Sequence, residues 1–219
     1  MTTVTDYINN DYRPINNKES ILDVRDFFED KNFSHFPVIQ DNTYIGSFSK
    51  EDLENFDPDK TVADYLYSLE GFFVREGQSW MEILESFAKN NTNLIPVLDQ
   101  DQKYLGYYEL ESIVGFFNQT PFLKEQGSII VIKKAAFDYS IGQITQIVEG
   151  NNGKLLGVFI SNSDNLEVEI TIKIAVGEMN NIIQSFRRYG YEIISNHQED
   201  NFINLLKDRS EYLEKYLSI

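Results

Sequence analysis

The chain has 219 residues, 42% of them hydrophobic, no cysteine and a formal net charge of −16. That composition fits a globular protein long enough for one large domain or several small ones. It excludes disulfides, thiolate catalysis and cysteine zinc sites, and its acidity opposes nucleic-acid phosphates and anionic lipid.

No apolar run approaches the ~20 residues of a membrane helix. The opening MTTVTDYINNDYRP lacks the basic and apolar parts of a secretory signal. A cytoplasmic protein, bound neither to nucleic acid nor to membrane, is therefore expected. The charge is uneven: residues 1–125 carry 23 acidic and 10 basic side chains, residues 126–219 carry 12 and 9. The change falls near FFNQTPFLKEQGS (116–128), which reads as a linker.

In chain order, two stretches share one layout. Ser20 precedes a helical apolar stripe of Ile21, Val24, Phe27 and Phe28, and Ser79 precedes one of Trp80, Ile83, Leu84 and Phe87. Short apolar strands follow at 36–39 (FPVI) and 94–98, then polar turns and second strands, TYIGSF and YLGYY. Second helices are expected at 50–56 and 110–117. Pro37 and Pro96 lie 59 residues apart, and Gly46 and Gly106 lie 60 apart. This spacing predicts a duplicated strand–helix–strand–strand–helix unit, too small to bury a core alone and suited to packing sheet to sheet with its copy.

Beyond the linker, strands are expected at 128–137, 154–162, 166–176 and 191–195. Ile170, Ile172, Ile174 and Val176 alternate with polar residues along the third. Helices are expected at 141–148 and 179–189, the second closed by Gly190. The order is βαββαβ, a ferredoxin-like unit. In the tail, apolar residues at 202, 203, 205, 206, 212, 213, 216 and 217 predict an amphipathic helix that packs on its own chain or a partner.

The duplicated half resembles a tandem CBS pair, or Bateman module, on the strength of h-P-V-h, turn and h-x-G-h-h-S-x-x-D recurring at fixed offset. The second half resembles an ACT domain, with Asp138 and Gly142 leading into its first helix and GNNGKLLGV into its second strand. The combination is similar to bacterial acetoin-utilisation-type CBS-ACT proteins. The expected α+β architecture is CBS repeat 1 at 1–58, CBS repeat 2 at 59–122, an ACT-like domain at 127–196 and the tail helix at 197–219.

The resemblance implies an adenosyl ligand, AMP, ATP or S-adenosylmethionine, in a cleft between the repeats, with magnesium only as a companion of nucleotide. By the family pattern Ser49 would bond a phosphate and Asp52 the ribose, with Gly46, Pro14, Ile15, His35, Phe36 and Pro37 as further site residues. Ser49 and Asp52 serve equally as a helix cap and an acidic first turn without ligand. His35 is either a cation facing phosphate or an ordinary strand histidine. The second copy, GYYELES, puts Glu109 and Ser112 at the equivalent positions, and Glu109 would repel phosphate. With so acidic a field, AMP, adenosine-like or cationic ligands are favoured over a triphosphate.

The ACT resemblance implies an amino-acid site at Asp138 and Gly142, in a turn one residue longer here than in the family. A dimerising or packing unit is the other reading. The two histidines, His35 and His197, lack metal-site spacing, and no nucleophile elbow, Walker A or dinucleotide fingerprint occurs. A non-enzymatic regulatory homodimer acting on an unidentified protein is expected, or else an interaction scaffold with vestigial clefts.

Overall fold

The structure, a computed structural model, describes residues 3–175 and 177–195. The expected tail helix and His197 lie outside the described residues. The chain divides into two compact units, Met1–Gln119 and Thr120–Ile219.

In the first unit, repeat one runs β1 (Ile15–Asn16), α1 (Ile21–Glu29), β2 (His35–Gln40), β3 (Thr43–Ser49) and α2 (Lys50–Leu53). Repeat two runs β4 (Val74–Arg75), α3 (Trp80–Asn90), β5 (Leu94–Leu98), β6 (Tyr104–Glu109) and α4 (Leu110–Phe117). The sheets have matching orders, β1-β2-β3 and β4-β5-β6, with the first strand parallel to the second and a register shift after Val38 and after Val97. Ser20 and Ser79 cap α1 and α3 by accepting from the N–H of Asp23 and Glu82. The first hairpin turns on Asp41 and Asn42, at φ 49° and 65°, the left-handed pair a two-residue turn requires.

Two cores are shared across the repeats. One gathers Ile15, Val24, Phe36 and Phe48 around Leu94 and Tyr107 of the second repeat. The other gathers Val74, Ile83, Ile95 and Tyr108, with Val4, Tyr7 and Ile8 from the N-terminus packed against it. Each such buried aromatic or aliphatic side chain contributes roughly 1.5–3 kcal/mol.

The segments leading into the repeats cross over. Asn9 exchanges backbone hydrogen bonds with Tyr107 (2.8 and 3.0 Å), and Glu70 exchanges them with Ser47 (2.9 and 2.8 Å). Gly46 and Gly106 sit beside these contacts at φ 141° and 149°. A Cβ at Gly46 would lie 2.7 Å from Leu69 Cβ, and one at Gly106 would lie 2.6 Å from the Asn9 carbonyl oxygen. Both glycines are needed for backbone to approach this closely.

Three local expectations are revised. Helix α2 stops at Leu53 rather than 56, because the Arg25 guanidinium takes the carbonyls of Leu53, Glu54 and Phe56 and fixes the chain out of helix. Short 3-10 turns at Val4–Tyr7 and Val62–Ser68, each opened by a Thr-Asp capping box, precede the repeats. The expected linker contains a helical turn, α5 (Pro121–Lys124), whose Phe122 sits over Gly157.

The second unit follows with β7 (Ser128–Ala135), α6 (Ile141–Gly150), β8 (Lys154–Ser163), β9 (Glu167–Ala175), α7 (Met179–Arg188) and β10 (Glu192–Ile193). The sheet order is β10-β7-β9-β8, all antiparallel. Ile130 and Ile132 of β7 and Ile170, Ile172 and Ile174 of β9 face Ile144, Val148, Ile182 and Phe186 of the helices. Gly190, at φ 76°, closes α7.

Candidate functional site

A cleft of about 530 Å³ opens where β2 begins and β3 gives way to α2. Because β2 and β3 are antiparallel, the start of one and the end of the other lie at the same sheet edge; His35 pairs with Ser49. Ser34, His35, Ser49, Lys50 and Glu54 form one side, and Asn91 and Asn93 of the second repeat form another.

Ser34 and Asn93 lock the repeats together here. Asn93 Oδ1 accepts from Ser34 N (2.9 Å) and Ser34 Oγ (3.1 Å), Asn93 N donates to Ser34 Oγ (3.1 Å), and Asn93 Nδ2 donates to the Asn32 carbonyl. The position directly before each h-P-V strand is thus polar in both copies, a signal present in the sequence.

His35 is not a surface histidine. It is buried: Nδ1 lies 3.0 Å from Ser34 Oγ, Nε2 lies 3.2 Å from Glu70 Oε1, and its ring meets Phe72 edge-on. Phe36, next along the strand, is also buried, against Phe27 and Phe33. In a strand covered on one face, alternation buries only one of two successive residues. β2 has apolar neighbours on both faces, so both are covered.

Ser49 caps α2 by accepting from Glu51 N at 3.2 Å, the capping half of the expectation; Asp52 makes no reciprocal bond to Ser49. Helix α2 turns Lys50, Glu51 and Glu54 to the cleft, leaving half-buried Asp52 outside its lining. Nor do Gly46, Phe36 or Pro37 line it. Ile15 lines a separate pocket with Tyr12, Asp23 and Phe27, and Pro14 lies half-buried just before it. The structure therefore brings together Ser49 and His35 of the expected set and adds Ser34, Glu54, Glu70 and Asn93.

The electrostatics are mostly negative. Lys50 Nζ donates to the carbonyls of Phe28 (2.8 Å) and Lys31 (3.4 Å), at the C-terminal end of α1. Glu51, Glu54 and Glu70 rim the same cleft.

A second cleft, about 450 Å³, occupies the equivalent place in the other repeat, lined by Asn93, Glu109, Leu110, Glu111 and Val114 with Asn32 and Phe33. Glu109 stands at the N-cap of α4 without capping it, and accepts instead from Asn9 Nδ2 at 2.9 Å.

In the second unit Asp138 and Gly142 are both exposed near the start of α6, where Ser140 is the cap. A Cβ on Gly142 would meet only Ser140 Oγ at 3.7 Å, so glycine is not required there. The cleft of this unit lies elsewhere, among Gln146, Asn151, Ser185, Arg188 and Tyr189. Among the described residues no cluster of metal-ligating side chains occurs, and no helix is long and apolar enough to cross a membrane.

Residues 4–58 match the family model of the CBS domain. No curated protein matches the chain. Among solved structures it is similar to a CBS domain pair/ACT domain protein from Thermotoga maritima, at 18% identity over 53% of this chain and 96% of that one, with a TM-score of 0.48. It is also similar to the CBS domains of a transcriptional regulator from Streptococcus pneumoniae, at 19% identity over 52% and 98%, with a TM-score of 0.47. A hemolysin-like CBS protein from Oenococcus oeni is similar at 16% identity over 52% and 87%, with a TM-score of 0.41. The family model thus covers the first repeat, and the second repeat duplicates its strand order, pairing and register shift.

Proposed function

We propose that this protein is a non-catalytic regulatory sensor whose CBS pair takes an adenosyl ligand in the cleft at Ser49. CBS pairs as a class are regulatory ligand-sensing modules. The observation that carries the reading to this chain is the cleft itself. It combines a capped helix start, the hydroxyls of Ser34 and Ser49, the Asn93 amide and the His35–Glu70 pair. The βαββαβ unit is read as an ACT-like domain of the kind that accompanies CBS pairs in acetoin-utilisation-type proteins, serving to dimerise the protein or relay the signal. The regulated partner is a further protein.

The cleft's charge ranks the ligands. Glu51, Glu54 and Glu70 oppose added negative charge, and the one lysine is engaged with carbonyls. S-adenosylmethionine, adenosine-like compounds and AMP should bind ahead of ATP, which would need magnesium to mask its phosphates.

Calorimetry and thermal shift on the whole chain test this. A ligand at a hundredfold excess over its Kd stabilises by about 2.7 kcal/mol, roughly 5–10 °C for a chain this size. Ser49→Ala should weaken the response, and Asp52→Ala should abolish it if that carboxylate turns to the ribose on binding. Metal-free ATP binding tightest would overturn the ranking. Absence of any saturable response would overturn the sensor and leave the scaffold, the reading favoured by the two uncompensated carboxylates, Glu109 and Glu111, in the second cleft.

A further inference from the structure

The last turns of α6 and α7 enclose the cleft of the second unit, about 530 Å³, a size that holds a small ligand. Its charge is opposite to that of the clefts in the first unit. Those at Ser49, Glu109 and Ile15 are each rimmed by two or three carboxylates. This one has Arg188 in its lining and no carboxylate, in a chain whose acids outnumber its bases 35 to 19.

The helices hold Arg188 in place without neutralising it. Its Nη2 donates to Ser185 Oγ at 2.9 Å, and none of the ion pairs among the described residues involves it. Ser185 is buried, and its Oγ also accepts from Asn151 Nδ2 at 3.2 Å. The same Nδ2 donates to the Ile147 carbonyl at 2.8 Å, which fixes the amide's orientation. With two donors turned on its oxygen, the Ser185 hydroxyl still has its own proton to give. No acceptor among the described residues takes that proton. A buried donor left in this state is costly, so an acceptor entering the cleft meets two donors, this hydroxyl and the guanidinium.

The surroundings bound what that acceptor is. Arg188 offers one positive charge in a planar fork that matches a carboxylate. Both helices end here, and their C-terminal partial charges oppose a second negative charge. Lys134, the cation beside them, is engaged by the Tyr189 carbonyl at 3.0 Å. Buried Ile147 and the half-exposed Tyr189 complete the lining with apolar surface.

We propose that this cleft binds a small aliphatic monocarboxylate, its carboxylate held by Arg188 and the Ser185 hydroxyl and its chain against Ile147 and Tyr189. The second unit thereby carries a ligand site of its own, distinct from the turn at Asp138 and Gly142.

The test is a titration of the full chain with sodium butyrate, followed by NMR at the Arg188 Nε–H and the Asn151 side-chain amide. The Arg188 signal is assigned by its loss in Arg188→Gln. Both signals should move together and saturate. Arg188→Gln, read at Asn151, should weaken binding about tenfold or more. Ser185→Ala should weaken it severalfold, the backbone amide spectrum verifying the fold of each variant. Butyramide, which lacks the charge, should leave both signals in place. Absence of saturable movement in the unaltered chain would overturn the proposal. So would equal movement with sodium chloride at the same ionic strength, or with butyramide. Inorganic phosphate binding more tightly than butyrate would overturn the monocarboxylate assignment, and unchanged affinity in both variants would overturn the site.

Discussion

The two clefts of the duplicated N-terminal unit stand on frameworks of the same strand order and register shift and differ in what they offer a ligand. Both lie where the third strand of a repeat meets its second helix. The first has a capping hydroxyl at Ser49, then Lys50 and Glu54. The second has Glu109, Leu110 and Val114 in those places. The shared parts are those the fold needs: Pro-Val strands buried on two faces, a glycine where backbone crosses, and a Ser cap on the first helix. The parts that differ are those exposed to the cleft. Duplication kept the scaffold under strict packing constraint while each cleft's chemistry was free to diverge.

The largest expected break in that comparison comes from the paired glycines. Gly106→Ala should cost about 3 kcal/mol and Gly46→Ala somewhat less, by overpacking at a positive φ. The difference arises because the added Cβ at 106 meets Asn9 O and Ile8 Cγ2 at 2.6 Å and Asn10 Oδ1 at 2.7 Å, whereas at 46 only Leu69 Cβ comes as close, at 2.7 Å. Urea unfolding of both variants measures it; equal costs would show that the two crossings are equally yielding.

Next come the two residues that lock the repeats. Asn93→Ala removes an acceptor for two Ser34 donors and a donor to Asn32, and should cost about 2 kcal/mol. Ser34→Ala should cost about half that, and the pair should be non-additive in a double-mutant cycle.

A smaller effect concerns the caps. Ser49→Ala should lose about 1 kcal/mol. Glu109→Ser should recover part of such a sum for α4, less the bond to Asn9. A second repeat destabilised by Glu109→Ser would show that the Asn9 contact outweighs the missing cap.

Smallest are the paired tyrosines. Tyr44 OH donates to the Phe72 carbonyl at 2.7 Å and meets Ser47 Oγ at 3.0 Å, whereas no partner among the described residues reaches the buried Tyr104 OH. Tyr44→Phe should cost about 1 kcal/mol and Tyr104→Phe little or nothing. Burial pushes the Tyr44 hydroxyl up to about 12. Its contribution is thus fully present below pH 10, its ordinary value, and is lost as pH rises through 12. Tyr44→Phe should flatten the alkaline arm of a stability–pH curve over that window.

Much of the pair was legible because its signals are local. Ser20 and Ser79 announced helices, Pro37 and Pro96 set the offset, and strand β5 and helix α4 fell on the expected residues. What was missed is long-range. Glu70 reaches His35 and Ser47 from the other repeat, a contact no periodicity encodes. Arg25 shortens a helix far along the chain. The resemblance points to Asp52, whereas the cleft of this structure is lined by Glu51 and Glu54. Thr-Val-x-Asp-Tyr occurs at 3–7 and again at 61–65, marking the 3-10 turns that open each repeat.

The crossed lead-in segments make the boundary between the repeats a poor place to cut. A fragment ending at 58 keeps Asn9 but loses Tyr107, its partner, and keeps Ser47 without Glu70. Two copies of such a fragment could satisfy one another only by each lending its leading segment to the other's third strand. The covalent join thus works as a built-in domain swap, and a half-gene product should appear as an exchanged dimer or remain unfolded.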